Sequence, residues 1–578
     1  MMGLKKSLLC ALGVFALLSP ATARRAHAQE DLPPAAVEAE DTQQWDKAIA
    51  IYKKTIILQP QRYDLWVRIT DIEADRDNPT GAETALYEAL KIKHRDPNLL
   101  SRYVQLAEWA GDNAGAEATY RILLKMNPGD DETRFKLATV LSWEGKTKES
   151  IAVLEPYIKR HPQKKDALLL MSQLYMWNGD LYKADTMIER YKQVAGEDKD
   201  YQKVKMQILA NENKNIATVK AADKVLQTTP NDCDGYTDKA TALTALRRYG
   251  DMQPNLAGAD KNCVDKPAGV LLDRKLTTQT QSYVRGDYTY SSDNDTIDIS
   301  TYTLDGRYKL NPGTYVTLGG ETGWLRASAA SGFEAVNGNS SINQSAAWIG
   351  IDKQAADAVW VNGKVGYHDA GNGLQETPIG HIGTEIRAID IMTLTLDTNH
   401  DFYSVSPEAL SKGVKLTDNQ ALATFNITPV TTFEMKANYG LLSDSNHYWS
   451  LTETPRQTIL KDERWNADIN FSAQQTGFAN SVSDGYYDPT RFRQYMIGTD
   501  VTYNWNVDDK IGLILGTGYN EDDTMTSYKR ADNYALETTI GLYQSWMFNA
   551  HIGHSDSIGL NSEQYRVNDY TANLTRRF

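Results

Sequence analysis

Eight carboxylates fall on alternating positions of short segments in the second half of the chain: Asp287, Asp305, Glu385, Asp397, Glu434, Asp468, Asp500 and Glu537. They are too scattered to form one acid–base pair. On one face of successive strands, side chains of this type line a passage that attracts cations and amine-bearing polymers and repels anionic chains. Arg285, Arg307, Lys364, Arg387 and Lys436 share that face, and cross-strand pairing would neutralise part of the wall. A second candidate is Gly485-Tyr486-Tyr487-Asp488-Pro489, followed by Arg491-Phe492-Arg493. Paired tyrosines can stack on sugar rings or pack over the mouth of a barrel, and the sequence leaves both open. Catalysis finds less support. His551 and His554 stand near Ser555, but histidines three apart on a strand face opposite sides, and no oxyanion loop accompanies them. The chain is therefore read as non-enzymatic, with no cofactor or metal.

The elements that must position these acids alternate with a period of two, the mark of strands. Tyr495, Ile497, Val501, Tyr503 and Trp505 share a face against Gly498, Asp500, Thr502 and Asn504. Ile511, Leu513, Leu515 and Tyr519 oppose Gly512, Gly516 and Gly518, and similar patterns recur at Met392–Asp397, Phe433–Leu441 and Trp465–Phe471. Short turns (311–313, 388–390, 428–430 and 507–509) alternate with longer polar loops near 327–342, 402–418, 442–461 and 521–531. That alternation is the outer-membrane barrel pattern, and about 16 antiparallel strands are expected between residues 279 and 578. In a barrel the apolar face meets lipid and the acids face the lumen. Trp324, Trp348, Tyr439, Trp505, Tyr519, Tyr543 and Trp546 are expected to form interfacial girdles. The last strand places Tyr570, Ala572, Leu574 and Phe578 on one face, interrupted by Arg576, which can snorkel.

The first half has another character. Trp109-Ala110-Gly111, Trp143-Glu144-Gly145 and Trp177-Asn178-Gly179 recur at one interval (143 − 109 = 34; 177 − 143 = 34). That is the length of a tetratricopeptide (TPR) helix pair, so a stacked α-solenoid is expected over 29–270. Pro60, Pro97, Pro128 and Pro162 mark the turns between helices. Gly111, Gly145 and Gly179 stand where a helix stops in the left-handed conformation. Such a superhelix presents a groove that holds another protein.

The ends and the charge complete the reading. Lys5 and Lys6, an apolar run from Ser7 to Leu18 and Ala26-His27-Ala28 form a secretory signal over 1–28, with Ala21-Thr22-Ala23 a second cleavage candidate. Cys10 lies inside the apolar run, which argues against a lipoprotein. Cys233 and Cys263 are expected to pair in an oxidising compartment. Residues 279–578 hold 21 Lys+Arg against 36 Asp+Glu, and the remainder 40 against 39, which disfavours nucleic acid as a partner of the second half.

Signal, Trp-x-Gly helix pairs, a barrel of roughly 300 residues containing Gly-Tyr-Tyr-Asp-Pro, and a terminal Phe together resemble the exopolysaccharide-export porins of the cellulose or poly-N-acetylglucosamine type. The resemblance implies a biofilm-glycan conduit in the outer membrane of a Gram-negative bacterium, with the TPR domain in the periplasm docking synthesis or modification proteins. An acid-lined lumen would suit a partly deacetylated, amine-bearing glycan. The rival reading is a non-conducting outer-membrane scaffold that assembles other complexes.

Overall fold

The computed structural model describes residues 32–263 and 277–578, apart from 330, 372, 463, 507, 524, 543–544 and 558–564. The expected secretory signal with Cys10 lies outside them, as do Val507 and Tyr543. The chain divides into two compact units, Met1–Ile208 and Leu209–Phe578.

The first unit is a run of antiparallel helix pairs, among them Pro97–Ala110 with Asn113–Met126, Asp131–Trp143 with Thr147–Arg160, and Lys165–Trp177 with Leu181–Ala195. The glycines end the first helix of each pair because they alone take positive φ at no steric cost: 77° at Gly111, 74° at Gly145 and 84° at Gly179. Small residues set the close approach of paired helices. Ser150 donates its hydroxyl to the Ala138 carbonyl at 2.6 Å, and Ser172 to that of Ala184 at 2.8 Å. Each pair leaves an apolar face that only its neighbour covers. Leu141 and Leu100 thus pack in one shared cluster, and Leu154, Leu174 and Ile188 in the next, each such burial contributing about 1.5–3 kcal/mol. Trp177 packs against that second cluster, whereas Trp109 and Trp143 stand exposed at their helix ends.

The second unit begins with three helices, Asn215–Thr228, Cys233–Ala245 and Tyr249–Asn262. A disulfide joins Cys233 to Cys263 with their Cα atoms 5.3 Å apart, tying the start of the second helix to the end of the third. Sixteen strands follow among the described residues. The first eight are β1 (Tyr283–Asp293), β2 (Ile297–Asn311), β3 (Thr314–Ala327), β4 (Ser341–Ala356), β5 (Val359–Asp369), β6 (Glu376–Ile389), β7 (Met392–Phe402) and β8 (Lys415–Thr428). The rest are β9 (Thr431–Leu442), β10 (His447–Lys461), β11 (Trp465–Phe478), β12 (Phe492–Asn504), β13 (Lys510–Asp522), β14 (Lys529–Leu542), β15 (Trp546–Ser557) and β16 (Tyr565–Arg577). All neighbours are antiparallel, and β1 pairs with β16 from Tyr283 opposite Arg577 to Asp293 opposite Val567, which closes the barrel. Closure removes both sheet edges, so every strand finds backbone partners on two sides.

Leu304, Leu318, Val365, Ile382, Ile497, Leu515 and Leu536 are large apolar side chains left exposed on one face of the wall. That face points outward and the acids occupy the other. Among the described residues no helix is long and apolar enough to cross a membrane; an outward apolar band on a closed barrel is the other way for a chain to meet lipid. Arg576 interrupts this face, and its guanidinium stands 5.5 Å from the centre of the Trp546 ring.

Two expectations change. Trp348 belongs to the inner wall rather than to a girdle: a Cβ at Gly319, directly opposite, would lie 2.5 Å from its indole, and Lys364 stands 5.0 Å above the ring. Glycine opposite tryptophan makes room for the ring inside. The loop expected over 442–461 shrinks to four residues, because β10 starts at His447. Its outward face carries Glu453 and Gln457 beside Trp449 and Leu451, which breaks the apolar alternation.

Candidate functional site: the barrel lumen and its two mouths

All eight acids lie on the inner face, where most meet a base. Arg285 reaches Asp287 and Asp305, each at 2.9 Å. Arg456 of β10 spans β11 to reach Asp500, with Asp468 at 3.7 Å. Glu385 accepts from Arg387 at 2.6 Å and Arg247 at 3.2 Å. Asp397 lies 3.6 Å from His381, and Glu537 3.2 Å from His551. Glu434 has no ion pair within 4.0 Å among the described residues. The wall therefore carries ion pairs within and between strands, with less uncompensated acid than the sequence alone implies. His551 faces inward, between Glu537 and Asp569. His554 faces outward, stacked on Tyr534 with ring centres 4.7 Å apart, so the two share no site. Among the described residues no group of three or more His, Cys, Asp or Glu is placed to hold a metal ion.

The longer loops fold together over one mouth. The helix Pro407–Ser411, in the loop after β7, brings Leu410 against inward-facing Leu325 and Ile342. Glu408 donates its backbone N–H to the Phe333 carbonyl of the loop after β3 at 3.0 Å. Ser406 both caps that helix and donates to the Gly485 carbonyl at 2.5 Å. The Tyr-Tyr-Asp-Pro stretch completes this cover. Tyr486 is 1% exposed, enclosed by Tyr403 and Phe478. Its hydroxyl donates to Asp444 at 2.5 Å and accepts from Asn446 at 3.2 Å. Burial, reinforced by the Asp444 carboxylate, drives its phenol pKa far up. A ring so enclosed has no face for a sugar, so in this conformation Tyr486 is a packing residue. Tyr487 is half-buried and donates its hydroxyl to Asp522. Asp488, 8% exposed, accepts from the Val482 N–H and the Ser481 hydroxyl.

The mouth at the short turns is occupied differently, by the turn between helices Cys233–Ala245 and Tyr249–Asn262. Arg247 at its tip has φ 57°, the left-handed conformation that Gln43, Asp77 and Asn213 also take at turns between helices. Its guanidinium lies 4.2 Å over the Trp360 ring and bridges Glu385 at 3.2 Å and Asp352 at 3.6 Å. Trp360 Nε1 donates back to the Arg247 carbonyl at 3.2 Å, and Arg387 donates to the Ala245 carbonyl. Tyr315, Trp360, Tyr249, Leu246 and Met252 form one buried cluster beneath. From the turn after β6, Asp390 accepts the N–H groups of Ile216 and Ala217 at 2.6 and 3.1 Å. It thereby caps the helix Asn215–Thr228, where a carboxylate meets both unpaired donors and the positive end of the helix dipole. Sequence reasoning missed Arg247, Trp360 and Asp390, because the partners that give them meaning lie over 100 residues away.

The tetratricopeptide repeat family matches residues 144–208. The chain carries tetratricopeptide repeats. No curated protein matches it by sequence. Among solved structures it is similar to a bacterial polysaccharide outer membrane secretin, with a TM-score of 0.44 and 11% identity over 52% of this chain and 99% of that one. A tetratricopeptide repeat protein from Parabacteroides merdae gives 0.34 and 14% over 38% and 86% of the two chains. YrrB, a TPR protein with an unusual peptide-binding site, gives 0.25 and 16% over 29% and 88%. In this chain the repeats precede a closed sixteen-stranded barrel.

Proposed function

We propose that the chain is an outer-membrane conduit for an exopolysaccharide, with its repeats in the periplasm. The observation that carries this reading is the division of the closed barrel into an apolar outward face and an inner face of charges, amides and hydroxyls. Such a wall satisfies lipid on one side and offers a hydrated sugar chain hydrogen-bonding partners on the other. On this reading the short-turn mouth faces the periplasm, and the long loops face outward. The repeats dock glycan synthesis or modification proteins; exposed Trp109 and Trp143 support this, since aromatic rings anchor protein interfaces.

The test is a deletion strain. Loss of extracellular polysaccharide with periplasmic accumulation, restored by the wild-type gene, is the expected result; unchanged secretion contradicts the reading. One observation favours the rival, a scaffold that conducts nothing: folded loops cover one mouth, and the Arg247 turn occupies the other. Conductance of the purified protein separates the two.

A further inference from the structure

The short-turn mouth holds a cavity of about 410 Å³ lined by Arg247, Arg285, Arg307 and Arg577. Four guanidinium groups around one space run against the acidic balance of the barrel, so their pairing decides what the space is for. Arg285 and Arg247 are each shared by two carboxylates. Arg307 and Arg577 have no carboxylate within 4.0 Å among the described residues. Arg307 donates from Nη2 to the carbonyls of Gln279 and Gln281 at 2.7 and 3.2 Å, and its ring neighbours are Tyr315 and Tyr283 at 4.4 and 5.0 Å. Its Nε is buried and has no acceptor, and the Oε1 of Gln279 on the same cavity is equally orphaned. Among the described residues the Arg577 guanidinium has one side-chain contact, the Met547 sulfur at 4.0 Å from Nη2, with the Asp508 carboxylate acting on it from farther away. A buried donor without an acceptor destabilises the fold, and two guanidinium groups sharing a space repel. An oxyanion between them removes both penalties.

The remaining lining says what carries that oxyanion. Gln279, Asn549, Asn573 and Thr575 offer amides and a hydroxyl, and half-buried Tyr283 offers a ring. A free inorganic anion needs neither; a sugar needs both, for its hydroxyls and for its ring face. The volume lies in the range of small-molecule sites, about 300–1,000 Å³. We propose that this cavity is an entry subsite for a carboxylate-bearing sugar unit, with Arg307 and Arg577 as the groups that hold the carboxylate. The proposal rests on the conduit reading and specifies its substrate: a glycan carrying acidic residues. Deeper in the lumen Asp287, Asp305, Glu385, Asp468 and Asp500 are held by arginines, which weakens the field that would repel an acidic polymer there.

The experiment titrates the purified full-length chain in detergent with tri-galacturonic acid, with maltotriose and with inorganic phosphate, followed by calorimetry. The expected result is binding of the acidic trisaccharide at least tenfold tighter than of either other probe, weakening as salt rises. Arg307→Gln and Arg577→Gln each reduce it at least fivefold, while Arg577→Lys, which keeps a point charge, retains part of it. Each variant is first checked for the heat-dependent gel mobility of a closed barrel; one that fails the check is replaced by its lysine counterpart, expected to bind between wild type and glutamine. Equal binding of maltotriose, equal binding of phosphate alone, or no response to either arginine overturns the proposal. Acidic-sugar binding in a protein whose deletion leaves secretion intact would instead refute the conduit reading and leave the subsite standing. Lost secretion without acidic-sugar binding would do the reverse.

Discussion

Replacing Ile497 with arginine asks directly whether lipid or water meets the outward face. Ile497 is 57% exposed and pairs with Phe471 on β11 and Thr517 on β13. It lies five residues from Phe492 at the long-loop end of β12 and seven from Asn504 at the other (497 − 492 = 5; 504 − 497 = 7). With strands tilted about 40° and rising about 3.3 Å per residue, those separations are about 13 and 18 Å along the barrel axis, near the middle of an apolar band about 25 Å tall. An arginine at that depth costs about 2–4 kcal/mol, or roughly 30- to 700-fold in the folding constant. At a water-exposed position the same change stays within about 0.5 kcal/mol. Tyr519→Arg is the control. Tyr519 lies three residues from Asp522, the long-loop end of β13 (522 − 519 = 3), about 8 Å along the axis and nearer the interface, where the cost is smaller than at mid-depth. The assay is reversible guanidinium unfolding in phospholipid vesicles, followed by tryptophan fluorescence. A neutral Ile497→Arg, or equal costs at the two depths, would refute the assignment of the outward face.

Three further outcomes follow from contacts described above. Replacing Cys233 and Cys263 together with serine removes a loop closed over a separation of 30 residues, worth about 3.6 kcal/mol on chain-entropy reasoning; the helices from 233 to 262 should become cleavable by limited trypsin while the barrel resists. Tyr486→Ala, emptying a fully enclosed aromatic site, should cost about 3–5 kcal/mol and expose the 479–491 loop to protease, whereas Tyr486→Phe should cost less than half as much. Burial works against the Lys205 ammonium, but Asp185 and Glu189, at 2.5 and 2.8 Å, outweigh it and push its pKa up to about 12. A raised folded-state pKa means stability present below about 10.5 and lost as pH rises through 12, so wild type should lose melting temperature over that interval while Lys205→Met, already less stable, changes little.

The parts of the fold visible in the sequence are those written in local periods. The interval from Trp109 to Trp143 to Trp177 marks the helix pairs. The alternation of Ile511, Leu513 and Leu515 with Gly512 and Gly516 marks both a strand and its outward face. What depends on register across strands is not local. Outward Ile349 and Ile351 on β4 already mark the inner face for Trp348, but the room that Gly319 makes for its ring is set by the β3–β4 register. Asp390 reads as an ordinary turn acid until the helix Asn215–Thr228 brings its free N–H groups to it. The same holds for the acids of the lumen: Asp500 reads as free charge until Arg456 reaches it across an intervening strand. The Tyr-Tyr pair is visible as a distinctive stretch, but whether a tyrosine ring is offered to solvent or enclosed is decided by Tyr403, from the loop after β7, and Phe478, at the end of β11.

The conduit reading requires the lumen to pass a sugar chain although loops cover one mouth and the Arg247 turn occupies the other. Single-channel recording of the full chain in a planar bilayer, with an oligosaccharide added to one chamber, tests this most directly. Stepwise conductance interrupted by sugar-dependent blockades is the expected result. A bilayer that stays sealed with correctly inserted protein would contradict the account and leave the chain as a membrane-anchored scaffold.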